Sequence, residues 1–154
     1  HAAFSVDGLE IQPYPVPHDA REPVQFVFGD GNRRLGVLTD AGCSTPHIEA
    51  MLAGVDALVL ECNHDAAMLE NGPYPASLKR RVGGRFGHLE NGQSAALLGK
   101  LKHEKLQCVM AAHVSKTNNT SALAQRALAH ALGCEDEAVR VACQTTGFDW
   151  IGIC

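Results

Sequence analysis

The sequence predicts an α/β fold in which strands and helices alternate after an initial run of strands. From Asp40 onward, short apolar runs of strand length alternate with segments whose apolar residues recur at helical spacing. Before Asp40, partly alternating apolar residues and turn signals indicate strands joined by tight turns. The 154 residues are 45% hydrophobic and 19% charged, which is typical of one folded domain, or one large part of a domain, with a substantial core.

The part of the chain before Asp40 is predicted to be rich in strands. Residues 4–16 alternate apolar and polar side chains in part and form one or two strands, with a turn at Asp7-Gly8. Residues 24–28 and 34–39 form a hairpin around the turn Asp30-Gly31-Asn32.

The rest of the chain is predicted to alternate helices and strands. Ser44 or Thr45 can cap a helix that has Pro46 in its first turn and ends at Gly54. Buried strands are predicted at residues 57–62, 106–112 and 139–143, and further helices at residues 65–70, 75–82, 91–102 and 121–132.

Composition and charge narrow the classes of function. The net charge of −4 argues against a globally basic nucleic-acid-binding protein, although a local basic patch stays open. Aromatic residues make up 5% of the chain, which argues against stacking platforms for single-stranded nucleic acid. No run of 18 apolar residues occurs, so we expect no transmembrane helix and no membrane partner. The six cysteines form no C-x-x-C pair, so we expect a reduced, cytoplasmic protein.

Polar side chains that can ligate metals follow the ends of several predicted strands. His18 ends the first extended run, Asp40 follows the hairpin, and His113 follows a buried strand. The other strand-end residues are Glu61, Asn63, His64 and Ser115. Because ligands bind beyond the carboxyl ends of strands in α/β sheets, this set predicts a shared site. Imidazole and carboxylate suit Zn²⁺, with Mn²⁺ and Fe²⁺ as alternatives, and a carboxylate can bridge two cations.

A basic segment precedes one more histidine. Lys79, Arg80, Arg81 and Arg85 place four cations in seven residues without an acidic residue, and a glycine break then leads to His88. Two interpretations stay open for this segment: a solvated helix face, or contact with phosphates of a substrate or nucleic-acid backbone.

Five further positions also have open interpretations. The polar residues after His113 either bind a phosphate at a helix start or cap the helix that Ser121 opens; they are Ser115, Lys116, Thr117 and Asn118. Asp19 either orients His18 through a hydrogen bond or belongs to a turn.

Five short segments together resemble metallo-β-lactamase-fold hydrolases, in the branch of YycJ-type exonucleases and phosphodiesterases. The segments are Pro17–Ala20, Gly36–Gly42, Leu60–Asp65, Gly87–Leu89 and Ala112–Asn119. Their joint order and spacing carry the resemblance, which extends over about residues 18–149. It implies the carboxyl-terminal half of an αβ/βα sandwich of that family, with a mixed sheet and helices.

The resemblance also implies roles for individual residues. His18 would ligate a first metal, Asp40 would bridge two metals, and His113 would ligate the second. His88 is similar to the histidine that phosphodiesterase members place near the scissile phosphate, where it protonates the leaving oxygen or binds the phosphate. Asp40 and His88 are therefore the expected catalytic residues. The residues expected to line the same pocket are Asn63, His64 and Ser115, and those expected to bind phosphate are Arg81, Arg85 and Lys116.

The H-x-H-x-D-H signature of the family does not occur in the sequence. The resemblance therefore predicts that residues 1–154 are the carboxyl-terminal portion of a metallo-β-lactamase-like domain whose amino-terminal half is absent. The intact protein is expected to bind two zinc ions, with manganese or iron as alternatives. We expect the fragment alone to be inactive, and it need not retain the metal.

The expected function of the parent protein is that of a metal-dependent hydrolase. A phosphodiesterase or nuclease that uses a metal-activated water is favoured, with a phosphodiester or nucleic acid as substrate. Two alternatives stay open. One is a thioester or lactam hydrolase. The other is a non-catalytic half-domain for assembly, which would form a homodimer to cover an exposed sheet edge or apolar face.

Overall fold

Strands and helices alternate as predicted in the computed structural model, which describes residues 2–154. The strands are β1 (Phe4–Val6), β2 (Leu9–Pro15), β3 (Val24–Gly29), β4 (Arg34–Leu38), β5 (Ala57–Glu61), β6 (Cys108–Ala112) and β7 (Arg140–Val141). The helices are α1 (Pro46–Leu52), α2 (Ala66–Asn71), α3 (Ala76–Val82), α4 (Asn91–Leu101) and α5 (Ser121–Leu132), with a 3₁₀ helix at Asp136–Ala138.

The seven strands form one mixed sheet, in the order in which they occur along the chain. Neighbours from β1 to β4 are antiparallel, and neighbours from β4 to β7 are parallel. Because β2 and β4 are both antiparallel to β3, strands β2, β4, β5 and β6 all run in the same direction. Their carboxyl ends therefore meet at one edge of the sheet, and the α/β fold with a mixed sheet is confirmed.

Local sequence signals account for where the helices begin and end. The Thr45 hydroxyl accepts a hydrogen bond at the start of α1, and Pro46 occupies the first turn. Glu90 and Gln93 form a capping box at the start of α4. Helix α5 ends at Gly133, whose φ of 77° is a conformation that glycine adopts without steric cost.

The main core lies on one face of the sheet. Leu58 and Leu60 of β5 point into it and pack in one cluster with buried residues of α1, α4 and α5. Since side chains alternate along a strand, the intervening positions face the other side. That second face carries Leu35, Ala57, Val59, Cys108 and Met110, and residues 148–153 lie along it.

The last predicted strand is shorter than expected. We expected residues 139–143, but β7 contains only Arg140 and Val141 because Cys143 and Gly147 pair with each other across a turn. Within residues 2–154, no helix is both long enough and apolar enough to cross a bilayer.

Candidate metal centre

The sheet topology brings residues that are distant in sequence to one edge. Asp40 follows β4, Glu61 ends β5, and His113 directly follows β6. His18 follows β2, which runs in the same direction as these three strands. His88 comes from the loop between α3 and α4. This loop is held against the end of β5, because the Leu89 carbonyl accepts a hydrogen bond from the backbone N–H of Asn63.

Three histidines surround the carboxylate of Asp40. Its Oδ1 atom lies 3.7 Å from His18 Nε2, 3.7 Å from His88 Nδ1 and 3.6 Å from His113 Nδ1. The His88 ring centroid lies 5.1 Å from that of His18 and 4.9 Å from that of His113. The structure thus brings the three predicted metal ligands and the predicted catalytic histidine into one cluster.

Glu61 forms hydrogen bonds to this cluster from its buried side. Its side chain is completely buried, and Oε1 accepts hydrogen bonds from His88 Nδ1 at 2.9 Å and from His113 Nδ1 at 2.6 Å. The backbone amides of Asp40, Ala41 and Leu89 also donate to this carboxylate. Five donors therefore replace the water that the buried charge has lost.

The ionisation of Glu61 follows from this environment. Burial by itself raises the pKa of Glu61, but the hydrogen bonds from His113, His88 and the Ala41 amide outweigh it and lower the pKa to about 2. The hydrogen bond to Glu61 in turn raises the pKa of His113, against the opposing effect of burial. Glu61 is therefore a carboxylate at neutral pH and acts only as an acceptor.

The acceptors fix which nitrogen of each ring carries a proton. His88 Nδ1 and His113 Nδ1 must donate to the Glu61 carboxylate, and His18 Nδ1 must donate to the carbonyl oxygen of Gly87 at 3.0 Å. In the neutral form of each ring, Nε2 then keeps its lone pair. Rings held in this way through Nδ1 are the usual form of histidine ligands to metals.

The backbone of the site is locally strained. Among the non-glycine residues that the structure describes, only Asp7, Asp40 and His113 have positive φ angles, with 54° at Asp40 and 53° at His113. Aspartate and histidine tolerate this conformation better than most residues, but it still has an energetic cost. The Asn63 side chain, which donates to the His113 carbonyl at 2.9 Å, helps to hold it.

Two cavities border the His88–His113 pair. The first, of about 280 Å³, is lined by polar residues of the cluster and its surroundings: His18, Asp19, Asp40, Arg81, His88 and His113. The second, of about 400 Å³, is also lined by His88 and His113, and its other polar residues are Asn63, Tyr74, Ser115, Lys116, Asn118 and Gln144.

The structure places most of the other predicted site residues at these cavities. Asn63, Ser115 and Lys116 line the second cavity. Arg81 lines the first cavity and forms an ion pair through Nε with Asp19, whose other oxygen lies 3.5 Å from His18 Nε2. Asp19 therefore contacts both the histidine and the basic segment.

Two predicted site residues lie elsewhere. His64 lines neither cavity, because consecutive residues after a strand point to opposite sides and Asn63 takes the side of the site. Instead His64 is buried beside α2 and Glu90. Arg85 also lines neither cavity, and its guanidinium carbon lies 6.0 Å from the centre of the exposed Phe86 ring.

The sequence places Glu61 at a strand end without indicating what it does in the site. The signal was its position in the otherwise apolar run Ala57–Cys62, where a charged residue is buried only if it is paired.

The donor set fits a divalent transition-metal ion. Atoms of metal-binding type from Asp40, Glu61, His88 and His113 lie within 4.8 Å of one another. Because Glu61 and the two Nδ1 atoms are hydrogen-bonded to each other, the Asp40 carboxylate and the Nε2 atoms of the rings are the groups left to bind an ion. Imidazole nitrogen and carboxylate oxygen are ligands that Zn²⁺, Mn²⁺ and Fe²⁺ accept in proteins.

Comparisons with known proteins show the family of the chain. The family model described as "Beta-lactamase superfamily domain" matches residues 1–110. The exodeoxyribonuclease YycJ of Bacillus anthracis is 34% identical over 124 residues, which are 80% of this chain and 47% of that protein.

Solved structures show the same fold. The metallo-β-lactamase fold protein YhfI from Bacillus subtilis matches with a TM-score of 0.71 at 14% identity, over 98% of this chain and 53% of that one. A diphosphatase from the PhnP family matches with a TM-score of 0.62 at 19% identity, over 98% of this chain and 47% of that one. The chain spans about half the length of the curated relative it matches.

Proposed function

We propose that this chain, which belongs to the beta-lactamase superfamily, supplies ligands and catalytic groups to a metal-dependent phosphodiesterase or nuclease. The observation that carries the proposal is the convergence of His18, His88 and His113 on Asp40. The chain corresponds in this proposal to the carboxyl-terminal portion of a metallo-β-lactamase-like domain. The activity belongs to the whole protein, and the fragment alone is inactive.

The metal ligands in this proposal are His18, Asp40 and His113, with Asp40 shared between two ions in the intact protein. Zinc is the favoured ion, with manganese or iron as alternatives. Such an ion, when bound, lowers the pKa of a coordinated water toward about 7 and so provides hydroxide at neutral pH. Glu61 keeps the His113 ring in place through its Nδ1 proton, so that Nε2 is available as the ligand atom.

His88 has the role of proton donor or phosphate ligand. When water attacks a phosphodiester, a bond from the water oxygen to phosphorus forms and the bond to the leaving oxygen breaks. The leaving oxygen then needs a proton, which His88 can give from Nε2 while Nδ1 stays hydrogen-bonded to Glu61. The Glu61 carboxylate stabilises the charged ring before that transfer.

Cations beside the cavities suit a phosphate-bearing substrate. Arg81 uses Nε for Asp19, and its terminal nitrogens remain for a phosphate in the first cavity. Lys116 can hold a phosphate at the second cavity. Arg85 lies outside both cavities. We therefore assign it to contact with the phosphate backbone of a longer nucleic-acid substrate rather than with the scissile phosphate.

The comparisons support this choice of substrate. The curated relative is named an exodeoxyribonuclease, and one structural neighbour is titled a diphosphatase. We also propose a cytoplasmic location, which the six free cysteines support because disulfides are rare in reducing compartments.

Replacing Asp40 tests the proposal. In the complete protein, Asp40→Ala should abolish hydrolysis of bis-p-nitrophenyl phosphate and of single-stranded DNA, since the shared carboxylate is lost. Glu137→Ala is the matched control, because Glu137 is an exposed carboxylate remote in sequence from the site. Undiminished turnover by Asp40→Ala would remove the proposal. Hydrolysis of a thioester or lactam instead of both phosphodiesters would favour the alternative enzyme class.

An assembly role is the second candidate, and the second face of the sheet favours it. This face is apolar around a cavity of about 380 Å³, and Trp150 beside it is fully exposed. A homodimer that covers this face would appear in light scattering of the chain, whereas a stable monomer would contradict the assembly role.

A further inference from the structure

We propose that the second cavity binds the nucleobase next to the scissile phosphate. The inference rests on the proposed function, because it assigns a part of the same substrate. It adds a subsite in which Tyr74 and Asn118, two residues that the proposed function does not use, recognise the base.

The position of the cavity fits this role. It shares Val82, His88 and His113 with the first cavity, so both cavities border the same pair of histidines. A phosphodiester has two arms, and a phosphate at the His88–His113 pair would direct one arm into each cavity. The first cavity contains Arg81 and suits a phosphate. The second combines one cation, Lys116, with neutral amides, and so suits a base together with the phosphate of its own nucleotide.

The walls of the second cavity suit a flat, partly polar group. Tyr74 offers an aromatic ring, and Val82 and Val114 offer apolar surface, while Gln144 adds a neutral amide. Bases outside a double helix bind in protein sites by stacking on such rings and by hydrogen bonds to their edges. The few aromatic residues of the chain argue against an extended platform, but a pocket for one base needs a single ring.

Asn118 supplies the independent observation. Its side chain is 1% exposed, and neither Oδ1 nor Nδ2 has a hydrogen-bond partner among the described residues. The neighbouring Asn119, also buried, is fully engaged with Asn91 and with the Cys62 carbonyl. Buried amides normally have partners, so the unpaired amide in the cavity wall indicates a group that binds there.

An amide also matches the chemistry of a base edge. It offers an acceptor and donors side by side, and so can pair with a base edge that presents a donor next to an acceptor. The loop at Gly72 covers this amide, because a Cβ on Gly72 would lie 2.7 Å from Asn118 Oδ1. Tyr74 lines the cavity as it stands, whereas a base would meet the Asn118 amide only after the backbone at Gly72 moves aside.

The test compares strands with and without bases. Binding of a four-nucleotide thymidine strand and of the same strand with every base removed is measured by fluorescence anisotropy on the complete protein. Asp40→Ala is the common background, because it prevents cleavage and affects both strands equally. We expect the strand with bases to bind about 5- to 150-fold more tightly, as one stacked base contributes.

Variants of Tyr74 then test whether the tighter binding of the strand with bases arises in the second cavity. Tyr74→Ala should bring the ratio of the two dissociation constants close to one, whereas Tyr74→Phe, which keeps the ring, should preserve it. A ratio that survives Tyr74→Ala overturns the inference.

Asn118→Leu separates binding from stability. It has a similar shape and removes an unpaired amide, so it should raise the midpoint of thermal unfolding by about 2–5 °C while it lowers the ratio. A lower midpoint would mean that the amide has a structural partner and would overturn its assignment.

The two levels of proposal fail in different ways. Equal binding of both strands contradicts the base subsite and leaves the proposed function standing. If neither strand binds, the assignment of a nucleic-acid substrate fails, and the base subsite fails with it.

Discussion

Glu61 is a buried charge whose five hydrogen bonds connect the segments that carry Asp40, His88 and His113. It contacts two histidines and receives amides from the chain after β4 and from the loop before α4. The histidine rings can rotate unless their Nδ1 atoms are held, and Glu61 holds two of them. The positions of His88 and His113 therefore depend on a residue that need not touch the substrate.

Glu61→Gln should destabilise the protein by about 2–4 kcal/mol, because one amide oxygen cannot replace two charged oxygens that accept five hydrogen bonds. Urea unfolding measures this change. Glu137→Gln, an exposed neutral substitution of the same kind, should change the free energy of unfolding very little.

The same residue predicts a pH dependence for the metal-free protein. The pKa of Glu61 falls from 4.5 to about 2 on folding, so its contribution is fully present above pH 4.5 and is lost as the pH falls toward 2. The free energy of unfolding should decrease over this interval in the wild type. In Glu61→Gln, the part of this decrease that comes from Glu61 should be missing. An identical dependence of the free energy of unfolding on pH in both proteins would contradict the low pKa of Glu61.

For single residues, the sequence could predict which histidines and which aspartate lie together in the site. Each of them stands at the end of a recognisable strand or in a segment that resembles the family. The sequence could not predict that Glu61 orients them, since that depends on which side chain points inward at the last position of β5. His64 was misplaced for the same reason, because the sequence pattern does not show which of two consecutive residues after a strand end points toward the site.

The loop between α3 and α4 is the element that carries His88, and close backbone packing holds it. A Cβ on Gly42 would meet the Arg85 carbonyl and would lie 2.6 Å from the Gly87 nitrogen. The Gly42 amide also donates to the Pro17 carbonyl at 2.8 Å, next to His18. One glycine thus sets the approach of two histidine-bearing segments.

Gly42→Ala should therefore lower both the stability and the activity of the complete protein, by several degrees in thermal unfolding and by about tenfold or more in turnover. Gly99→Ala is the matched control. Gly99 lies in α4 with nothing within 4 Å of an added Cβ, and the substitution should stabilise the helix by about 0.5–1 kcal/mol. Wild-type behaviour of Gly42→Ala would show that the loop is not held in this way.

Strand and helix positions were largely predictable, because caps, glycine stops and apolar runs coincide at most boundaries. The end of β7 was not predictable, because a turn between Cys143 and Gly147 interrupts an apolar pattern that would otherwise continue. The direction of β2 relative to β4 also needed the structure, although it decides on which edge His18 emerges.

At the scale of the whole molecule, one sheet has a face packed by helices and a second apolar face along which residues 148–153 lie. The site occupies the edge where the parallel strands end, so its groups are accessible while Glu61 beneath them is not. The mixed sheet was predicted through the family resemblance, since hydrophobic patterns alone do not determine which strands are neighbours.

The central claim is that His18, Asp40 and His113 form a shared site for a divalent transition metal. Metal analysis by mass spectrometry on the complete protein and on its Asp40→Ala variant tests it most directly. We expect zinc, manganese or iron in the wild type at up to two ions per chain, and a marked loss of metal in the variant with the fold retained by circular dichroism. Equal metal content in the two proteins, or none in either after loading with Zn²⁺, would contradict the claim.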